Sequence, residues 1–215
     1  MKETVWWSSL ATTSLPPSAP EAATDGRSAR AARTRDAVVE ALLSLLDEGN
    51  LRPTARQVAE RAGVSLRSVY VHFDDLEDLF TAAAHRFFET HRELVQDLPH
   101  DGPLDVRLEA FLDERTRMHD AARTIRRAAV LQEPFSPALA EVLSIGRTLA
   151  RGEVKQVFSI EIAQRPEAER RRFVTELDLV AGGTTWEALR GHHGMSNAAA
   201  RDVVACMLRA ILTAG

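Results

Sequence analysis

Apolar residues recur along this chain at spacings of three and four, the period of an amphipathic helix, and the runs are broken by proline, glycine and capping residues. From Ala29 to Glu48 the positions Val38, Ala41, Leu42, Leu45 and Leu46 keep that spacing until Gly49 ends it. Two short helices are predicted inside Leu51–Leu79, and Asp74 with Glu77 predicts a capping box that opens a fourth helix through about Leu98, along Leu79, Phe80, Ala83, Phe87 and Leu94. Pro99 to Pro103 makes the first clear break. Beyond it the pattern predicts helices over 103–120 and 121–133, then a cap at Ser136–Pro137 followed by a long helix through Ile162. Pro166 opens a further helix running to Gly191, and the last spans about Asn197 to Thr213. The expectation is an all-α fold of nine helices, in keeping with a chain dominated by Ala, Leu, Arg and Glu and poor in β-branched runs.

The segment from Leu51 to Leu79 is the most informative. Thr54 and Gln57 have the spacing of reciprocal caps, Val58 and Ala62 share a face, and Gly63 suits the left-handed backbone that leaves a helix sharply. Ser65 then caps a second helix in which Val69 and Phe73 face inward, while Leu66, Arg67, Ser68, Tyr70 and His72 face outward. A helix-turn-helix with such a face fits the major groove of DNA. Arg67 is the first choice for a base contact, because a guanidinium can bond both acceptors of guanine. Ser65, Ser68 and Tyr70 suit phosphate oxygens, as does the backbone amide of Thr54, and Arg33 with Arg27 and Arg30 suits the duplex backbone or a minor groove.

These residues resemble the DNA-binding domain of the TetR family of bacterial transcription regulators. The resemblance is carried by Ala62, Gly63, Val64 and Ser65 at the turn, then by Ser68, Val69, Tyr70, His72 and Phe73. Two positions depart from the family pattern: Leu76 precedes Glu77 where a lysine is usual, and Arg67 stands where glycine is frequent. The resemblance implies three DNA-binding helices, a connecting helix and a helical body that binds ligand and dimerises. The expected division is a disordered arm over 1–27, a helix-turn-helix domain over 28–75, and a ligand-binding and dimerisation domain over 76–215.

Charge supports this polarity. The net charge is −4 over 215 residues. Residues 27–73 nevertheless carry +3, against −2 for 1–26 and −5 for 74–215. A basic head on an acidic body orients toward phosphates. The single cysteine, Cys206, excludes an internal disulfide and fits a reducing cytoplasm, where the protein is expected. No apolar run suits a membrane span, and the prolines of the first twenty residues break any secretion signal, so no membrane partner is expected. Trp6 and Trp7 are the one oddity of the arm.

In the body, Val203, Val204, Met207, Leu208, Ile211 and Leu212 make the last helix apolar on more than one stripe, which calls for cover on two sides. With the family resemblance this implies a twofold interface through Val180, Thr184, Val203, Met207 and Ile211. Phe111, Met118, Phe158 and Trp186, with His119 and Arg123, are the candidate lining for an unidentified small-molecule effector. No cofactor is implied. Catalytic and metal patterns are missing from the sequence: His192 and His193 are adjacent, His85 and His91 are six apart, and no phosphate loop or nucleophile elbow appears. The expected function is a homodimeric, sequence-specific transcription regulator, a repressor released from a palindromic operator by its ligand. A helical protein-interaction module is the alternative, and a helical-bundle enzyme the more distant one.

Overall fold

The computed structural model describes residues 26–90 and 97–214, with side chains from Ser28 onward. The predicted arm before Gly26, with its tryptophan pair, and the predicted helical positions His91 and Leu94 lie outside the described residues, as does the Arg27 side chain. The protein is all-α, with no strand among the described residues. The α-helices are α1 (Gly26–Asp47), α2 (Ala55–Ala62), α3 (Leu66–His72), α4 (Leu76–Thr90), α5 (Leu104–Ala121), α6 (Arg123–Gln132), α7 (Pro137–Val157), α8 (Ser159–Gln164), α9 (Glu167–Ala181), α10 (Gly183–Glu187) and α11 (Asn197–Thr213). A 3-10 turn at Glu133–Phe135 follows α6, and a π-helical turn at Ala188–His192 follows α10. The helices fall into two compact units, one reaching to Arg86 and including Arg127–Ile145, the other formed by Phe87–Arg126 with the chain from Gly146.

In the first unit α1 packs on α2 and α3. The apolar stripe read from the sequence is its buried face, with Val38, Leu42 and Leu46 almost wholly inaccessible. α4 starts later than the pattern suggested. Its cap is Asp75, whose carboxylate accepts from the Asp78 amide at 2.9 Å, instead of Asp74. Leu98 is not its end, since residues 97–100 are irregular. The Ser136 cap is present as expected: its hydroxyl accepts from the Leu139 amide at 3.2 Å.

The second unit is built around Leu108, Phe111 and Leu112 of α5, with Phe158, Leu177 of α9 and Leu208 of α11. Two long helices predicted here are divided. The helix through Ile162 breaks at Phe158, where φ is −105° and ψ 25°. The buried Arg107 guanidinium bonds the Val157 carbonyl at 2.5 Å and grips Glu161 of α8 at 2.5 and 2.9 Å, holding the chain in its new direction. Phe158 is buried edge-on against Phe111, with ring centroids 5.1 Å apart. The helix predicted to reach Gly191 breaks at Gly182, whose ψ of 156° ends α9. A Cβ there would lie 2.9 Å from the Asp178 carbonyl oxygen, so only glycine passes the bend without a shift of backbone. These two breaks are why nine predicted helices become more.

Candidate nucleic-acid interface

The turn between α2 and α3 is assembled from local caps. The Thr54 hydroxyl accepts from the Gln57 amide at 3.3 Å, and the Gln57 side chain accepts from the Thr54 amide at 2.8 Å. At the other end Gly63 sits at φ 67°, and the amide of Val64 returns to the Ala59 carbonyl at 3.0 Å. Only glycine adopts that backbone without cost. The Ser65 hydroxyl then accepts from the Ser68 amide at 3.1 Å and starts α3 within two residues of the turn. Two helices are thereby joined across a tight turn by interactions that span at most five residues.

What α3 shows to solvent follows from what it buries. Val69 and Phe73 are 2% and 1% exposed. Leu66, Arg67 and Tyr70 are exposed, and Ser68 and His72 are half-buried. The structure adds a residue that the reading omitted: Val71, 69% exposed, the barest apolar side chain of the helix. Its signal was its position four residues after Arg67, hence on the same face. Arg33 is exposed on α1. The amide of Thr54 is already bonded to Gln57. A phosphate would have to displace that cap, so the contact expected there is not available as the helix stands.

Ion pairing sharpens the charge of the head. Arg61 holds Glu48 through two hydrogen bonds of 2.7 and 2.6 Å and also donates to Ser44. The Arg61 hydrogen bonds hold the Glu48 carboxyl below its usual range. Arg86 pairs with Asp36 and with Glu40, the latter at 3.6 Å. Arg35 lies over the Phe73 ring, 4.8 Å from its centroid, and serves packing. Three of the five acids of the basic segment are thus neutralised by arginines. Arg30, Arg33, Arg52, Arg56 and Arg67 are exposed and have no ion-pair partner among the described residues. Within residues 27–73 the exposed arginines thus outnumber the acids left unpaired, Asp47 and Glu60.

The second unit holds the expected ligand residues less completely. Phe111, His119 and Trp186 come together around a cavity of about 10 Å³, also lined by Arg115, Val180 and Val204. That is room for about one water. Phe158 packs behind Phe111, and Met118 and Arg123 do not line the space. Arg123 instead pairs with Glu187 at 3.4 Å. Burial pushes His119 down to about 3, so the ring is neutral. Its Nε2 lies 2.8 Å from the Ala181 carbonyl oxygen and must carry the proton, which leaves Nδ1 to accept from Arg126 at 3.3 Å. Val180, Val203, Met207 and Ile211 are half-buried at the edge of this core, and Thr184 is exposed.

Residues 38–83 match the family model of the bacterial regulatory proteins of the tetR family. The match is confined to this segment. It begins within α1 and ends within α4, so it contains the whole helix-turn-helix just described. Among solved structures, the chain is similar to a transcriptional regulator from Rhodococcus sp. Rha1, with a TM-score of 0.63 and 17% identity, covering 85% of this chain and 95% of that one. It is also similar to a candidate transcriptional regulator from Pseudomonas aeruginosa PAO1, with a TM-score of 0.59 and 17% identity, covering 84% and 90%. At that identity the likeness is one of fold, and it covers most of the chain beyond the matched segment. A search of the curated proteins finds no match. Among the described residues no helix is long and apolar enough to cross a membrane. The protein has the fold of a DNA-binding transcription regulator.

Proposed function

We propose that the protein is a homodimeric repressor that occludes a palindromic operator and leaves it when a small molecule binds the second unit, acting in the cytoplasm. The observation that carries the DNA half is the exposed face of α3, with Arg67 and Tyr70 outward on a helix whose other face is closed by Val69 and Phe73. Exposed arginines of the first unit, Arg33 and Arg56 among them, would supply the phosphate contacts that hold it in register. Arg33, Ser65, Ser68, Tyr70 and His72 position the head, and Arg67 and Leu66 reach bases. The homodimer is favoured by the stripe of Val203, Met207 and Ile211, spaced by four along α11 and left half-covered. Two heads one duplex turn apart, about 34 Å, would then read two half-sites. The effector reading is favoured by the apolar side chains around His119 and Trp186, which would have to part to admit anything larger than water.

Selection of bound duplexes from a random pool tests the central claim. The native protein should enrich a palindrome, and the double variant Arg67→Ala, Tyr70→Ala should enrich none. Affinity should fall steeply with salt, with a log–log slope of roughly −0.9 for each phosphate neutralised. Binding that ignores salt, or equal enrichment by both proteins, would refute the assignment and favour a protein-interaction module.

A further inference from the structure

Val71 is the residue of α3 with no accounted role. It is 69% exposed, more than Tyr70 at 53% or Leu66 at 38%. The inward face of the helix is complete without it, because Val69 and Phe73 are buried. As a β-branched residue valine is a weaker helix former than the alanine, lysine or glutamate that a merely solvated position would tolerate. Its two methyl groups are held in one dominant rotamer, so they present a fixed apolar surface and no polar atom. On the major-groove edges of the four base pairs, the apolar feature is the 5-methyl group of thymine. Val71 lies four positions after Arg67, which puts both on one face with an axial offset of about 6 Å. Base pairs are stacked about 3.4 Å apart. The two side chains therefore address positions no more than about two base pairs from each other.

We propose that Val71 reads a pyrimidine 5-methyl group in each half-site, within about two base pairs of the guanine assigned to Arg67. The inference rests on the DNA-binding reading above. It makes the recognised feature the methyl group itself and not the identity of the base, because an aliphatic side chain senses neither the O4 acceptor of thymine nor the N4 donor of cytosine. A 5-methylcytosine at that position should consequently satisfy Val71 as thymine does.

The test uses the full chain and a duplex selected by it from a random pool. Each thymine of a half-site is replaced in turn by uracil, which removes the methyl group and nothing else. In a second series the critical position carries cytosine or 5-methylcytosine. Affinities are measured for the native protein, for Val71→Ala and for Leu66→Ala. The native protein should lose about fourfold at one thymine per half-site, the worth of burying one methyl group. It should gain by a similar factor when cytosine there is methylated. Val71→Ala should be flat in both series and keep its preference for the guanine, which also shows that the variant is folded. A native protein indifferent to uracil at every thymine, or a selected half-site without thymine, overturns the proposal. So does methyl dependence that survives Val71→Ala or vanishes in Leu66→Ala alone. Failure to select any duplex overturns the DNA-binding reading with it, whereas selection without methyl dependence overturns this proposal alone.

Discussion

Replacing Arg107 tests how the second unit is held. Its side chain is 1% exposed, and it bonds both oxygens of Glu161, the Val157 carbonyl at 2.5 Å and the Gly102 carbonyl at 3.1 Å. Arg107→Ala would leave a carboxylate that is 8% exposed with no counter-charge, together with two carbonyls that lose a donor. Breaking a buried pair from one side costs about 3–5 kcal/mol. For a chain of this size that corresponds to a fall of roughly 6–20 °C in the unfolding midpoint, at about 2–4 °C per kcal/mol. Burial pushes the Glu161 carboxyl up, but the hydrogen bonds and charge of Arg107, together with a backbone hydrogen bond, outweigh it and hold the group below its usual range. The pair's contribution is accordingly present above pH 4.5 and lost as pH falls through the depressed value. Thermal unfolding followed by circular dichroism at fixed protein concentration, at pH 7 and at decreasing pH, gives both numbers. The native protein and Arg107→Ala should converge toward the acid end. A variant within about 1 kcal/mol of the native protein at pH 7 would refute the claim that this pair fixes the turn from α7 to α8.

Three further outcomes follow from other parts of the molecule. Burial, reinforced by the charge of Glu153 and opposed by Arg115, raises Glu114 from 4.5 to about 7. The folded protein then holds a proton that the unfolded chain releases, so stability should decline by up to about 3 kcal/mol as pH rises from 4.5 to 7, and Glu114→Gln should flatten that slope in pH-dependent urea unfolding. Gly182→Ala forces a Cβ to within 2.9 Å of the Asp178 carbonyl oxygen and should cost about 1–3 kcal/mol; an unchanged denaturation midpoint would show that the bend relaxes freely. Met207→Glu places a charge on the half-covered stripe of α11, and sedimentation should show a lighter species with weakened operator binding; a mass equal to that of the native protein would exclude this stripe from the interface.

The sequence alone determined the helix-turn-helix because everything that shapes it is local. Thr54 with Gln57, Gly63, and Ser65 with the Ser68 amide are interactions across three residues or fewer, and each leaves a recognisable pair of residue types at a set spacing. The buried faces of α1 and α3 were legible for the same reason, since a periodic apolar stripe must be covered whatever covers it. The start of α4 was legible only to within a residue, because Asp74 and Asp75 are both competent caps and the chain path chose the second. The breaks at Phe158 and Gly182 were set by tertiary structure. Phe158 interrupts a continuous apolar pattern because Arg107, fifty residues earlier in the chain, captures the Val157 carbonyl and Glu161. No window of neighbouring residues contains that interaction. The charge left to the first unit was likewise a tertiary result: a count along residues 27–73 gives eight arginines, but only folding reveals that Arg61 and Arg35 are engaged by Glu48 and Phe73. The cavity followed the same rule, since Phe111, His119 and Trp186 could be named in advance, while how closely they pack was decided by the helices that carry them.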